Sequence, residues 1–214
     1  EYVGLPTNII DIICTFYEQM ENKSFGDYYF YLKILIAKGQ NGYAVNLGLT
    51  LLDQYKDSSQ SKHIIKTCDL LQQIIDSGKN PAEYFKVIFL KADFLLERIN
   101  ISEAENLFEE AKELIINKNT LFDPQVVTHF FHRYINQKLH SLQYEKAFNA
   151  IEELKEKVEA TANSSMIIND RLCVALYSLG REKEALKAID SVIQIAKKEK
   201  DTIWLSIAYS DKAF

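Results

Sequence analysis

The sequence predicts an all-α fold: a right-handed α-solenoid superhelix of about five and a half antiparallel helix pairs. Three observations carry this. Alanine recurs in near-matching frames at Ala104, Ala147 and Ala185, spaced by 43 and 38 residues, each early in an amphipathic stretch with a large apolar residue four places on. Apolar residues follow helical spacing along most of the chain. Only 3 prolines and 7 glycines interrupt 214 residues, which suits long rods joined by short links.

The first helix is expected from about Pro6 to Met20, with Ile9, Ile10, Ile12, Ile13, Phe16 and Tyr17 on a wide apolar face. Its partner runs from about Ser24 to Lys38, and Gly39 supplies a left-handed cap. A second pair, about Tyr43–Tyr55 and Ser61–Asp76, is linked by polar residues 57–60 and closed by Gly78. The third opens at Asn80-Pro81-Ala82-Glu83, a cap, a proline at the first helical position and an acid at the third. It continues to about Glu97, with a partner from Ile101 to Asn117. Asp123-Pro124 opens the fourth pair by the same logic, running to about His140 and then from Tyr144 to Ala160. A fifth covers about Ser165–Leu179 and Glu182–Lys198 around Gly180, and a sixth starts at Asp201. Residues 1–79 read as degenerate N-terminal pairs continuous with the array, and 80–214 as the regular repeats.

Trp204-Leu205-Ser206-Ile207-Ala208, Leu172-Cys173, Leu179-Gly180 and Ala185 through Ile189 carry a family likeness: the chain resembles the tetratricopeptide (TPR) repeat from about residue 81 onward. It departs from that pattern in its longer repeats, in Asn169 where a bulky residue is usual, and in Ile135 where a small one is usual. The first two pairs lack the alanine signature. The resemblance implies non-catalytic recognition of a protein or peptide in a concave groove, within a larger bacterial regulatory protein. The small residues let paired helices approach closely, and Phe108, Phe131, Ile151 and Ile189 fill the space between them.

With Ala147 packed inside its pair, Phe131 and Tyr134 point between helices, and His129, His132 and Asn136 project from the inner wall. The matching positions elsewhere are Lys86, Phe89 and Asp93, then Ile167, Asp170, Val174 and Tyr177, then Leu205 and Tyr209. Amides pair with peptide backbone, aromatics take side chains and charges orient ends, so Lys86, Phe89, Asp93, His129, His132, Asn136, Asp170, Tyr177 and Tyr209 are the candidate peptide- or partner-binding residues. A wet wall with no ligand would also be polar. Asp93 and Asp170 oppose the charge of the family's carboxylate clamp and favour a ligand with a positive group.

His129 and His132, three apart on one face, are half a metal site at most; no further ligand stands at helical spacing, so no metal and no cofactor is expected. No phosphate loop, glycine-flanked serine or Cys near His is present, and Glu109-Glu110 and Glu152-Glu153 read as solvated pairs, so the chain is not expected to be an enzyme. The net charge of −5 without a basic stripe argues against nucleic acid. No apolar run is long enough to span a bilayer. Cys14, Cys68 and Cys173, odd in number and scattered, read as buried thiols in a reducing, cytoplasmic setting. The chain begins without Met and stops inside a helical pattern, so flanking segments are expected. The competing function is a structural scaffold that forms homo-oligomers through its C-terminal end, where Trp204, Ile207 and Tyr209 lack a covering helix.

Overall fold

A computed structural model describes residues 12, 15, 17, 19, 24–55, 61–97, 100–118, 122–157 and 161–213. Most of the expected first helix, the link 57–60 and Cys14 lie outside these. Ten helices follow among the described residues, with no strand: α1 (Phe25–Ala37), α2 (Asn41–Tyr55), α3 (Ser61–Ile74), α4 (Pro81–Glu97), α5 (Ile101–Asn117), α6 (Pro124–His140), α7 (Tyr144–Lys157), α8 (Ala162–Ser178), α9 (Glu182–Glu199) and α10 (Thr202–Lys212). They divide into two compact units, residues 1–121 and 122–214.

The pairing rests on one turn used repeatedly. Gly39, Leu142 and Gly180 have φ of 70°, 57° and 74°. The residue after each donates its N–H five residues back, Gln40 to Leu35 O, Gln143 to Lys138 O and Arg181 to Leu176 O, at 2.8–2.9 Å. This is the Schellman closure, which satisfies carbonyls the helix end leaves open. Asn100 donates to Leu95 O in the same way (3.2 Å), and Asp201 to Ala196 O (2.9 Å) after Lys200 at φ 57°. The turn reverses the chain in three residues, so α1–α2, α4–α5, α6–α7 and α8–α9 pack as neighbours. Gly78, by contrast, is not left-handed; its N–H is held by Asp76 Oδ1 at 2.9 Å.

Ala104, Ala147 and Ala185 are the fourth residues of α5, α7 and α9, and all three are buried. Ala44 is the fourth residue of α2 and fully buried as well. The signature expected to be missing from the first pairs is therefore present there. It pairs α2 backward with α1, and leaves α3 between α2 and α4. A second small residue, Gly48, serves the same close approach on the other side. A Cβ there would lie 2.6 Å from Leu71 Cδ2 of α3.

In the first unit the core gathers Leu32, Leu35, Ala44, Leu52, Ile64, Cys68, Leu71, Val87 and Phe94 from α1–α4. Lys91 of α4 is buried at this level and reaches Asp69 of α3 (2.7 Å), Gln72 Oε1 (3.2 Å) and Glu103 of α5 (3.0 Å). Burial works against its charge, but the two carboxylates outweigh it and hold its pKa above the ordinary lysine value. Tyr84 donates its hydroxyl to Glu110 Oε1 at 2.7 Å, so Glu110, expected to be a solvated acid, fastens α4 to α5. Glu152 is exposed beside Lys155 (2.7 Å), as a surface acid should be. In the second unit Phe130, Phe131, Tyr134, Ile135, Ala150, Ile151, Leu154, Ile189 and Val192 are buried. Cys68 and Cys173 are free, buried thiols. Burial pushes them up to about 12 and about 11, against the charge of Lys91 at Cys68 and with the carboxyls of Asp170 and Asp211 adding at Cys173, which makes both poor nucleophiles.

Candidate functional site

Two concavities in the second unit hold three of the candidate residues, His129 and His132 in one and Tyr177 in the other. The first lies between the starts of α6 and α8. Asp123 caps α6 by accepting from Gln125 N at 2.7 Å, with Pro124 at the first helical position. α8 begins earlier than the Ser165 expected. Thr161 Oγ1 accepts from Ser164 N (3.1 Å) and Ser164 Oγ from Thr161 N (3.0 Å), a reciprocal capping box with serine in the acidic residue's usual place. That extra turn brings Asn163 and Ser164 into the wall. The resulting cleft of about 530 Å³ is lined by Thr128, His129, His132 and Ile167 together with Pro124 and Gln125 of the first turn of α6 and the Thr161 cap of α8.

His129 is exposed and His132 half-buried. The His132 Nε2 atom is shielded from solvent and has no hydrogen-bond partner. Desolvation, then the charges of Arg171 and His129, holds this imidazole below its ordinary pKa, so it is neutral at pH 7. A neutral imidazole has one donor and one acceptor. Thr128, which also lines the cleft, donates its hydroxyl to Pro124 O at 2.7 Å. The positive ends of two helices meet here, which suits a ligand's carbonyl oxygens.

The second concavity, about 430 Å³, is more apolar and lies among α8, α9 and α10. Val174, Tyr177, Leu186 and Ile189 line it, with Asp211 at its rim. Asp170, one turn before Val174 on α8, is only 4% exposed instead of projecting into solvent from the wall. Its Oδ2 meets Arg171 Nη1 at 3.1 Å, while its Oδ1 is buried with no donor. Burial raises its pKa to about 6; Arg171 opposes this, and a side-chain hydrogen bond with the abutting Asp211 carboxyl, together with that group's charge, adds to it.

The remaining candidates are placed differently. In the first unit Lys86 is spent on Asp53 of α2 (2.7 Å), and Phe89 packs against Phe85 and edge-on against Phe108. Asp93 is half-buried on α4. In the second unit Asn136 is half-buried on α6, outside both concavities, and Tyr209 is half-exposed on α10 with Lys197 Nζ 5.8 Å from its ring centre. Sequence reasoning missed Thr128, Asn163, Leu186 and Asp211. The Thr161-x-x-Ser164 box was the one readable signal for Asn163, since it starts the helix a turn earlier. Among the described residues no three His, Cys, Asp or Glu side chains stand close enough to hold a metal, and no helix is long and apolar enough to cross a membrane.

No protein-family model matches the chain, and neither does any curated protein. Among solved structures it is similar to the crystal structure of MamA protein, with a TM-score of 0.60, 14% identity and coverage of 92% of this chain and 94% of that one. It is also similar to a Podosopora anserina putative kinesin light chain with nearly identical TPR-like repeats: TM-score 0.55, 13% identity, 92% and 89% covered. At such identity the likeness is one of fold, and the fold is that of a TPR-like helical-repeat protein.

Proposed function

We propose that this chain is a non-catalytic protein-interaction module, and that the cleft between α6 and α8 receives an extended segment of a partner protein. The observation that carries the reading is the buried His132 Nε2 without a partner at the wall of an open, polar cleft. An orphaned buried nitrogen costs about 1–3 kcal/mol, which a bound peptide amide or carbonyl would recover. Around it stand the groups such a segment needs: hydroxyl and amide side chains for its backbone, Ile167 for an apolar side chain, and helix N-termini for its carbonyls. The concave-groove role implied by the TPR resemblance fits this cleft. A regulatory setting in which ligand binding changes the docking of another domain is the wider form of the same reading.

Selection of peptides from a displayed random library on the whole chain, followed by calorimetry, tests this. His132→Ala and Ile167→Glu should each weaken a selected peptide about tenfold or more. A library that yields no binder, or binders indifferent to both substitutions, would overturn the reading.

A second reading rests on α10, where Ile203 (73% exposed) and Ile207 (39% exposed) make an apolar strip one turn apart. That strip suits self-association through this helix. Light scattering over a concentration series checks it, with loss of dimers in Ile203→Glu as its signature.

A further inference from the structure

Asp170 and Asp211 stand on different helices, α8 and α10, yet a side-chain hydrogen bond joins their carboxyls. A carboxylate oxygen only accepts, so that bond exists only while one of the two acids carries a proton. The neighbouring charges do not take the proton's place. Asp170 is 4% exposed and its Oδ1 is sealed from water. Arg171 meets Oδ2, at 3.1 Å. On α10, Lys212 is turned to Asp190 of α9 at 2.6 Å. Glu182 of α9 lines the same concavity as Asp211 and adds negative charge; Cys173 and Tyr177 of α8 line it too. On α6, His132 feels the charge of Arg171, and on α7 Glu152 is matched by Lys155 at 2.7 Å.

The helix that carries Asp211 is lightly held. Ala208 is buried, Trp204 and Leu205 are half-buried, and the rest of α10 is exposed. Its Lys212–Asp190 pair is wet on both sides, and such pairs add little. We propose that α10 is a proton-operated clasp: a proton shared by Asp170 and Asp211 fastens it to α8, and loss of that proton sets two like charges against each other and favours release. The direction follows from burial. Asp170 keeps its proton up to about pH 6 while α10 is docked, and in water it returns to the ordinary value of 3.8. Docking is therefore firmest in acid and loosens as pH rises through about 6. Because α10 forms one wall of the concavity, its release widens the apolar surface of Val174, Leu186 and Ile189. The clasp does not depend on the cleft reading.

Amide hydrogen exchange on the whole chain tests this, read as protection relative to the unstructured rate so that the direct effect of pH cancels. Amides of Ile207, Ala208 and Tyr209 in α10 should be less protected than those of Ile189, Val192 and Ile193 in α9, because α10 opens on its own. Their protection should fall about tenfold between about pH 5 and about pH 7.5, the ratio that values of about 6 docked and 3.8 released give. Asp170→Asn should abolish that fall, and Asp211→Asn, on an exposed side chain, should reduce it. Protection in α10 equal to that in α9, protection in α10 that does not change with pH, or a fall that survives undiminished in both variants would overturn the clasp.

Discussion

Replacing Asp170 with asparagine should make the protein more stable at neutral pH, and the gain should vanish in acid. The carboxyl is almost fully buried and its pKa stands at about 6 against an ordinary 3.8. The fold therefore keeps a proton there through a range in which the unfolded chain has lost it. For an acid with a raised folded pKa, the favourable contribution is complete below 3.8 and is lost as pH rises through about 6. The gap between those two values corresponds to about 3 kcal/mol, an upper figure because Asp211 beside it is open to water. The amide keeps the shape and removes the charge. Denaturant unfolding of both proteins at a pH near 4 and a pH near 7.5 gives the readout: the asparagine variant should gain about 1–3 kcal/mol relative to the natural chain between the two. A constant offset at every pH, or a natural chain that is the more stable at neutral pH, would refute the argument.

Other perturbations follow from the packing and the charges. Ala147→Leu forces a larger side chain into a fully buried first turn of α7 and should cost about 1–3 kcal/mol in chemical denaturation. Gly48→Ala should also destabilise, by about 1 kcal/mol or more, because the added methyl meets Leu71 at 2.6–3.0 Å although helix propensity alone favours alanine; a more stable variant would contradict the contact. Lys91→Ala strands two carboxylates that remain partly wet and should cost about 2 kcal/mol, with Lys91→Met recovering part of that loss through packing. His132 should titrate by NMR below 6.5. A base with a lowered folded pKa contributes stability above 6.5 and loses it as pH falls toward the folded value, so His132→Gln should blunt that acid-side loss.

The helix pairs were legible because a buried small residue in a fixed register leaves a visible mark, as at Ala104, Ala147 and Ala185. Ala44 occupies the same register but is flanked by Gly42, Tyr43 and Val45 rather than by the Glu and Lys that frame the others, so the local pattern hides it. The turns at Gly39 and Gly180 could be read from glycine's tolerance of positive φ; Leu142 and Lys200 adopt the same conformation with nothing in their identity to announce it. The sides of helices were legible and their depth was not. His129 and His132 share a cleft as their spacing implies, whereas Asp170 on an equivalent face is buried because α10 brings Asp211 against it from far along the chain. Lys86 is consumed by Asp53 for the same reason: partners distant in sequence decide whether a charge is displayed or matched.

The cleft reading meets its most direct trial in intermolecular NOEs between a library-selected peptide and the His132 ring. Peptide backbone protons within NOE range of that ring, together with contacts to Thr128 and Ile167, are the predicted result. A saturating peptide whose NOEs all fall elsewhere, with the His132 resonances unmoved, would contradict it.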